Sequence, residues 1–134
     1  MSSENNFCSI GIYLYGENIS LDEVSLLVGL EPTLSRNLGD VRFTSSGAKI
    51  VQKIGVWEFR WRVEVTNLGI SLLDVLDKIK CERIAGRAGV TKAELDIFIP
   101  LDTDSDMNGF SSELPGNLLG KLYRLGFDVV ITVR

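Results

Sequence analysis

Within the segment Val56–Val65, VWEFRWRVEV, apolar and charged residues alternate from Trp57 to Val65. In an extended chain Trp57, Phe59, Trp61, Val63 and Val65 share one side, and Glu58, Arg60, Arg62 and Glu64 share the other. On a helix, where side chains return to one face about every 3.6 residues, the same apolar set would be spread around the axis. The segment therefore reads as a strand with a covered apolar side and a solvated charged side, which demands a sheet roofed on one flank.

Three further strands follow the same rule. In FCSIGIYLYG, Cys8, Ile10, Ile12 and Leu14 oppose Ser9, Gly11, Tyr13 and Tyr15. ELDIFIPL groups Leu95, Ile97, Ile99 and Leu101, and DVVITVR groups Val129, Ile131 and Val133 as its apolar side. A weaker strand, DVRFTSS, is expected to pair with the tryptophan strand through the Gly47 turn.

Helices fill the gaps. SLDEVSLLVGLEP starts with Ser20 and Glu23 at capping-box spacing, carries Val24, Leu27 and Val28 as its stripe, and stops at Gly29 and Pro32. SLLDVLDKIK sets Leu72, Leu73, Leu76 and Ile79 at helical spacing. SSELPGNLLGKLYRLG aligns Leu114, Leu118, Leu122 and Leu125 before a C-capping Gly126, although Gly116 and Gly120 weaken its first turns. The expected fold is α+β, one domain over residues 1–134. It is a mainly antiparallel sheet with helices packed on one face, a ferredoxin-like core plus an extra C-terminal helix and strand.

Composition narrows the chemistry. The 134 residues include no histidine, which removes Ser-His-Asp and Cys-His catalysis and histidine-containing zinc sites. Cys8 and Cys81 are the only cysteines, too few for a disulfide framework or a thiolate cluster. A net charge of −4 argues against phosphate-backbone binding, so no nucleic acid is expected. No apolar run is long enough to cross a bilayer, and MSSENNF has neither a basic nor an apolar leader region. The expectation is a cytoplasmic protein without membrane contact, cofactor or metal, and not an enzyme.

Candidate sites are few. LDTDSDMNGFSSEL, residues 101–114, imitates a calcium loop. With Asp102, Asp104, Asp106 and Glu113 at the first, third, fifth and twelfth positions, the required glycine is replaced by Met107. Moved on by two residues, Gly109 fits but the last position is Pro115. The segment reads instead as a solvated loop whose Ser111 or Ser112 caps the third helix. Trp57 and Trp61 look like a ligand stack, yet they lie on the apolar side and are expected in the core. On the opposite side Tyr13, Tyr15, Arg60, Arg62 and Phe98 would mix with Glu58, Glu64, Asp96 and Asp128. The aromatics and arginines suit RNA, but the acids repel phosphate, which favours a solvated sheet and then a protein-binding face. KIKCERIAGRAGVTK is a local basic patch without the phosphate-loop pattern, and GLEPTLSRNLGD is a long connection rather than a nucleophile–base pair.

A run of these features resembles a family of small bacterial proteins, the domain-of-unknown-function family 4279. The likeness runs through IYLYGENIS, VGLEPT, the GD before the next strand, GVWEFRW and LYRLGFDVVITV. It rests on Gly16, Gly29, Pro32, Thr33, Gly39, Asp40, Gly55, Trp57, Leu125 and Gly126. The resemblance implies no catalytic residues, and small acidic proteins of this kind often accompany toxin genes as immunity partners. The function expected is therefore a non-enzymatic bacterial protein–protein interaction, an immunity-like protein that binds and neutralises a basic toxin domain. Asp40, Asp102, Asp104, Asp106 and Glu113 are its expected partner-binding residues, since an acidic inhibitor steers toward a basic partner. The alternative is a small-ligand or metal-sensing regulatory domain, and the uncovered sheet face leaves room for a homodimer.

Overall fold

The computed structural model describes residues 7–100 and 111–134. Its strands are β1 (Phe7–Gly16), β2 (Leu34–Arg36), β3 (Val41–Phe43), β4 (Lys49–Val51), β5 (Gly55–Glu64), β6 (Lys92–Ile99) and β7 (Asp128–Val133). Helix α1 (Leu21–Val28) follows β1, α2 (Leu68–Leu76) follows β5, and α3 (Gly116–Leu125) lies between β6 and β7. The fold is α+β, with a mixed five-stranded sheet in the order β2-β5-β1-β6-β7 and a separate two-stranded sheet, β3-β4.

β1 is the axis. It pairs antiparallel with β5 along its whole length and with β6 from Ser9 to Tyr15. Because β5 and β6 both run against β1, they run parallel to each other with β1 between them. That arrangement needs the long crossover through α2. β6 and β7 are adjacent and parallel, joined across α3.

Along the three central strands β1, β5 and β6 the alternation separates the inside from the outside. Cys8, Ile10, Ile12, Leu14, Trp57, Ala93, Leu95, Ile97 and Ile99 are buried, while Arg60 and Arg62 are exposed. The buried sheet residues share one cluster with Val24 and Val28 of α1, Leu72 and Leu76 of α2, and Leu118, Leu122 and Leu125 of α3. Both indoles reach across to the helices. Trp57 Nε1–H donates to Ser25 Oγ on α1 at 3.0 Å, and Trp61 Nε1–H donates to Ser71 Oγ on α2 at 2.8 Å. A buried indole N–H without an acceptor is costly, so each bond fixes where its helix can sit on the sheet.

Four local expectations change. The DVRFTSS strand does not pair with β5: Val41–Phe43 pairs with Lys49–Val51, and the edge of β5 is taken by Leu34–Arg36. Ser20 is the N-cap of α1, but its hydroxyl makes no capping bond. The N-cap of α3 is Pro115, because the Ser112 hydroxyl donates instead to the Val65 carbonyl at 2.9 Å. The apolar side of β7 is not buried: the core cluster ends at Phe127, since an edge strand has a neighbour on one side only. The glycine caps are as expected, with Gly29 and Gly126 left-handed at φ 75° and 82°. Among the described residues, no helix is long and apolar enough to cross a membrane.

Several residues that carry the family resemblance have direct structural work. A Cβ on Gly16 would stand 2.0 Å from the Gly89 carbonyl oxygen, where a loop crosses the end of β1. Thr33 Oγ1 accepts the Arg60 N–H at 2.9 Å and so anchors the start of β2 to β5. The close crossing predicts that Gly16→Ala destabilises the protein by about 2–3 kcal/mol, because carbonyl oxygen and β-carbon cannot share that space. Gly120→Ala, inside α3 with open space around it, is expected to stabilise by about 0.5–1 kcal/mol. Urea denaturation midpoints check both, and an unchanged midpoint for Gly16→Ala would remove the crossing.

Candidate interaction surfaces

The β3–β4 ribbon is built by two turns. At its base the Asn37 N–H donates to Asp40 Oδ2 at 2.7 Å, and Gly39 is left-handed at φ 88°. Gly39 N–H to Gln52 O and Gln52 N–H to Asp40 O, both 2.8 Å, continue the ladder below the strands. At its tip, Thr44 Oγ1 accepts the Ala48 N–H at 3.1 Å and Gly47 supplies the positive φ of the turn. The register places Val41 opposite Val51 and Phe43 opposite Lys49. Val41, Phe43 and Val51 are 52%, 69% and 46% exposed, a continuous apolar strip in water. From Arg36 to Lys53 the chain carries Arg36, Arg42, Lys49 and Lys53 against a single acid, Asp40, so the arm is basic in an acidic protein.

A second surface is the side of the sheet that carries Tyr13 and Tyr15. Their rings stack with centroids 6.3 Å apart, and the Tyr13 ring lies where a Cβ on Gly11 would be. Arg62 covers the Phe7 ring at 5.1 Å and Arg134 covers Phe98 at 5.9 Å. A shallow groove of about 400 Å³ runs between Tyr13, Arg60, Asp96, Phe98 and Arg134. The cations therefore sit on aromatic faces of the protein itself, faces that an RNA base would otherwise use.

On this surface Asp96 is the unusual group. Its Oδ1 is buried without a hydrogen-bond partner. Burial first, then the hydrogen bond and charge of neighbouring Glu94, push its carboxyl up to about 6, with Lys92 opposing. Glu94 moves down, because Asp96 donates to it and Lys92 pairs with it at 3.2 Å. Burial and the same acids push Tyr15 up to about 12, so both tyrosines stay protonated and neutral.

A further concavity of about 610 Å³ lies between the ends of α2 and α3 and includes Lys80, Cys81, Arg83, Lys121 and Arg124. Its cations are partly spent: Lys121 pairs with Asp77 at 2.6 Å, and Lys80 Nζ donates to the Asp77 carbonyl at 2.8 Å. Burial raises the Cys81 thiol, which keeps it protonated and a poor nucleophile.

Of the expected partner-binding residues, Asp102, Asp104 and Asp106 lie outside the described residues. Asp40 and Glu113 are both exposed but are not brought together. Asp40 sits at the base of the arm, tied to Gln52 before β5 begins, whereas Glu113 follows Ser112, which is bonded to Val65 beyond the end of β5. A ten-residue strand separates them, a span of roughly 30 Å. Among the described residues, no three Cys, Asp or Glu side chains converge as metal ligands. The apolar strip of the arm was missed by sequence reasoning. Its signal is the pair Val41 and Phe43 flanking Arg42, read only as part of a weaker strand beside the tryptophan strand, because alternation alone does not show whether a roof exists. Compared with protein-family models, curated proteins and solved structures, the chain has no match.

Asp96 makes a pH prediction. Its folded pKa lies above the unfolded value, so the native state holds the proton more tightly. The stability this provides is fully present below the ordinary carboxylate range and is lost as pH rises through about 6. Asp96→Asn cannot ionise and keeps a donor for Glu94. It is expected to melt about 2–4 °C above the wild type at pH 8 and level with it near pH 4. Equal melting temperatures across that range would show that Asp96 is well solvated.

Proposed function

We propose that this chain is a non-enzymatic binding domain that engages a protein partner through the β3–β4 arm. The observation that carries the reading is the exposed Val41–Phe43–Val51 strip on a two-stranded sheet that, among the described residues, pairs with no other strand. An isolated ribbon gains little from its own packing, and an exposed apolar strip with a charged rim matches the anatomy of an interface. Phe43 is its natural anchor, the largest and most exposed side chain of the strip.

The charge of the arm selects the partner. Four cations against one acid favour a surface with an apolar centre and an acidic rim. This differs from the basic partner suggested by the acidic segment after β6, and it gives Asp40 a structural part in the base turn instead of a contact. Toxin neutralisation in the bacterial cytoplasm, suggested by the frequent company of small acidic proteins of this kind with toxin genes, is the specific form of binding we favour. On this reading the helices cover one face of a ferredoxin-like core, which leaves the arm and the sheet edges as working surfaces.

The test is capture from the host. The double variant Val41→Ser, Phe43→Ser is expected to fold with its melting temperature nearly unchanged, since both residues are exposed. It should lose a partner that the wild type and Asp96→Asn both retain, and wild-type capture should weaken as salt rises. Toxin neutralisation adds a second readout: the captured protein, expressed alone, arrests growth, and co-expression of this chain restores it. Equal capture by the wild type and the double variant would place the interface elsewhere.

A further inference from the structure

β7 is the outer strand of the five-stranded sheet on the side away from β2, and among the described residues no strand pairs with its free edge. Its backbone can be read residue by residue. The Arg134 N–H donates to the Ile99 carbonyl at 3.2 Å, in a parallel register that sets Leu95 beside Val129, Ile97 beside Ile131 and Ile99 beside Val133. In such a ladder alternate residues direct both backbone groups to one neighbour, and the residues between them direct theirs to the other side. Val130, Thr132 and Arg134 therefore serve the ladder to β6. Val129, Ile131 and Val133 turn their N–H and C=O groups to the open edge.

The side chains are equally unprotected. Val129, Val130, Ile131 and Val133 are 42%, 40%, 55% and 50% exposed. Sheet edges are normally blunted by proline, by an inward lysine or by a bulge, and VVITV contains neither proline nor lysine and pairs with β6 in unbroken register. Charges of opposite sign stand at its two ends, Asp128 as its first residue and Arg134 directly after its last.

We propose that β7 is the seam of a homodimer, pairing antiparallel with β7 of a second copy about a twofold axis through Ile131. This register sets Ile131 against its own copy and Val129 against Val133 in the hydrogen-bonded positions, which satisfies the outward backbone groups of all three residues. The positions between them pair Val130 with Thr132 and Asp128 with Arg134, so a carboxylate meets a guanidinium at both ends of the seam. Registers centred on Val130 or Thr132 also keep the backbone in phase, but they leave these charges without their opposites. Any extended strand could satisfy the backbone; the self-complementary ends select a second copy of this chain. The Val129, Ile131 and Val133 side chains of the two copies then lie together beside the buried Leu95, Ile97 and Ile99. This surface is separate from the β3–β4 arm, so the two readings stand or fall independently.

Sedimentation equilibrium over a wide concentration range tests the seam. The expected mass rises from that of one 14.8 kDa chain to twice that value. Ile131→Pro removes an outward N–H and leaves the ladder to β6 intact, so it should give a folded monomer, checked by circular dichroism. Asp128→Arg and Arg134→Asp should each weaken dimerisation about tenfold, because each change meets a like charge at both ends. The double charge swap should restore it. If Ile131→Pro does not fold, the charge series decides alone. A wild type that stays monomeric to its solubility limit overturns the proposal, as does a dimer equally tight in both single charge variants.

Discussion

Everything in this molecule hangs on the full-length antiparallel ladder between β1 and β5 and on the two indoles of β5. The ladder sets Leu14 opposite Trp57 and Ile10 opposite Trp61, so the largest side chains of the sheet stand among aliphatic neighbours. Each indole brings a polar N–H to the covered side, and each is satisfied by a serine on a different helix. Apolar packing alone would let α1 and α2 slide over the sheet, because dispersion and burial have little direction. The two directional bonds add position to that cover. Ser25 and Ser71 thus matter more to the architecture than their size suggests.

Outward from this centre the protein divides its surface by chemistry. The middle of the Tyr13–Tyr15 side is self-contained: cations rest on aromatic rings, Glu94 and Asp96 share a proton-binding site, and Tyr13 fills the space above Gly11. Besides single exposed residues on the helices, Leu26, Ile70, Leu119 and Tyr123, apolar groups left in water lie at the periphery, on the β3–β4 arm and along β7. Both are strands without a complete set of neighbours, where side-chain and backbone contacts are open together. A partner at either place would gain from apolar burial and from direction at once. The arm carries a basic rim and β7 carries self-complementary ends, so the two surfaces call for different occupants.

What was legible in the residues and what was not follows one physical line. Alternation along Val56–Val65 identified the interior side because side-chain direction in a strand is local geometry. Gly29 and Gly126 identified helix ends because a left-handed residue disfavours a β-carbon locally too. Side-chain hydroxyls were misread for the opposite reason. Ser112 has a choice between capping α3 and reaching the Val65 carbonyl, forty-seven positions away, and only the folded chain puts that carbonyl within reach. The Val41–Phe43 strand was correctly seen as extended but given the wrong neighbour, because Leu34–Arg36, anchored by Thr33, already occupies the edge of β5.

By itself, then, the order of residues determined the α+β class, the places where the chain extends or coils, and which side of each central strand avoids water. These are consequences of spacing, and spacing acts between near neighbours. Tertiary structure decided which strands end up at the edges, which apolar sides remain uncovered, and which carboxylate is starved of water. Those outcomes depend on what arrives from distant parts of the chain. Val129, Ile131 and Val133 have the same pattern as Leu95, Ile97 and Ile99, yet one set lies at a margin and the other is enclosed. The difference is the number of neighbours each strand finds, which no local pattern can count.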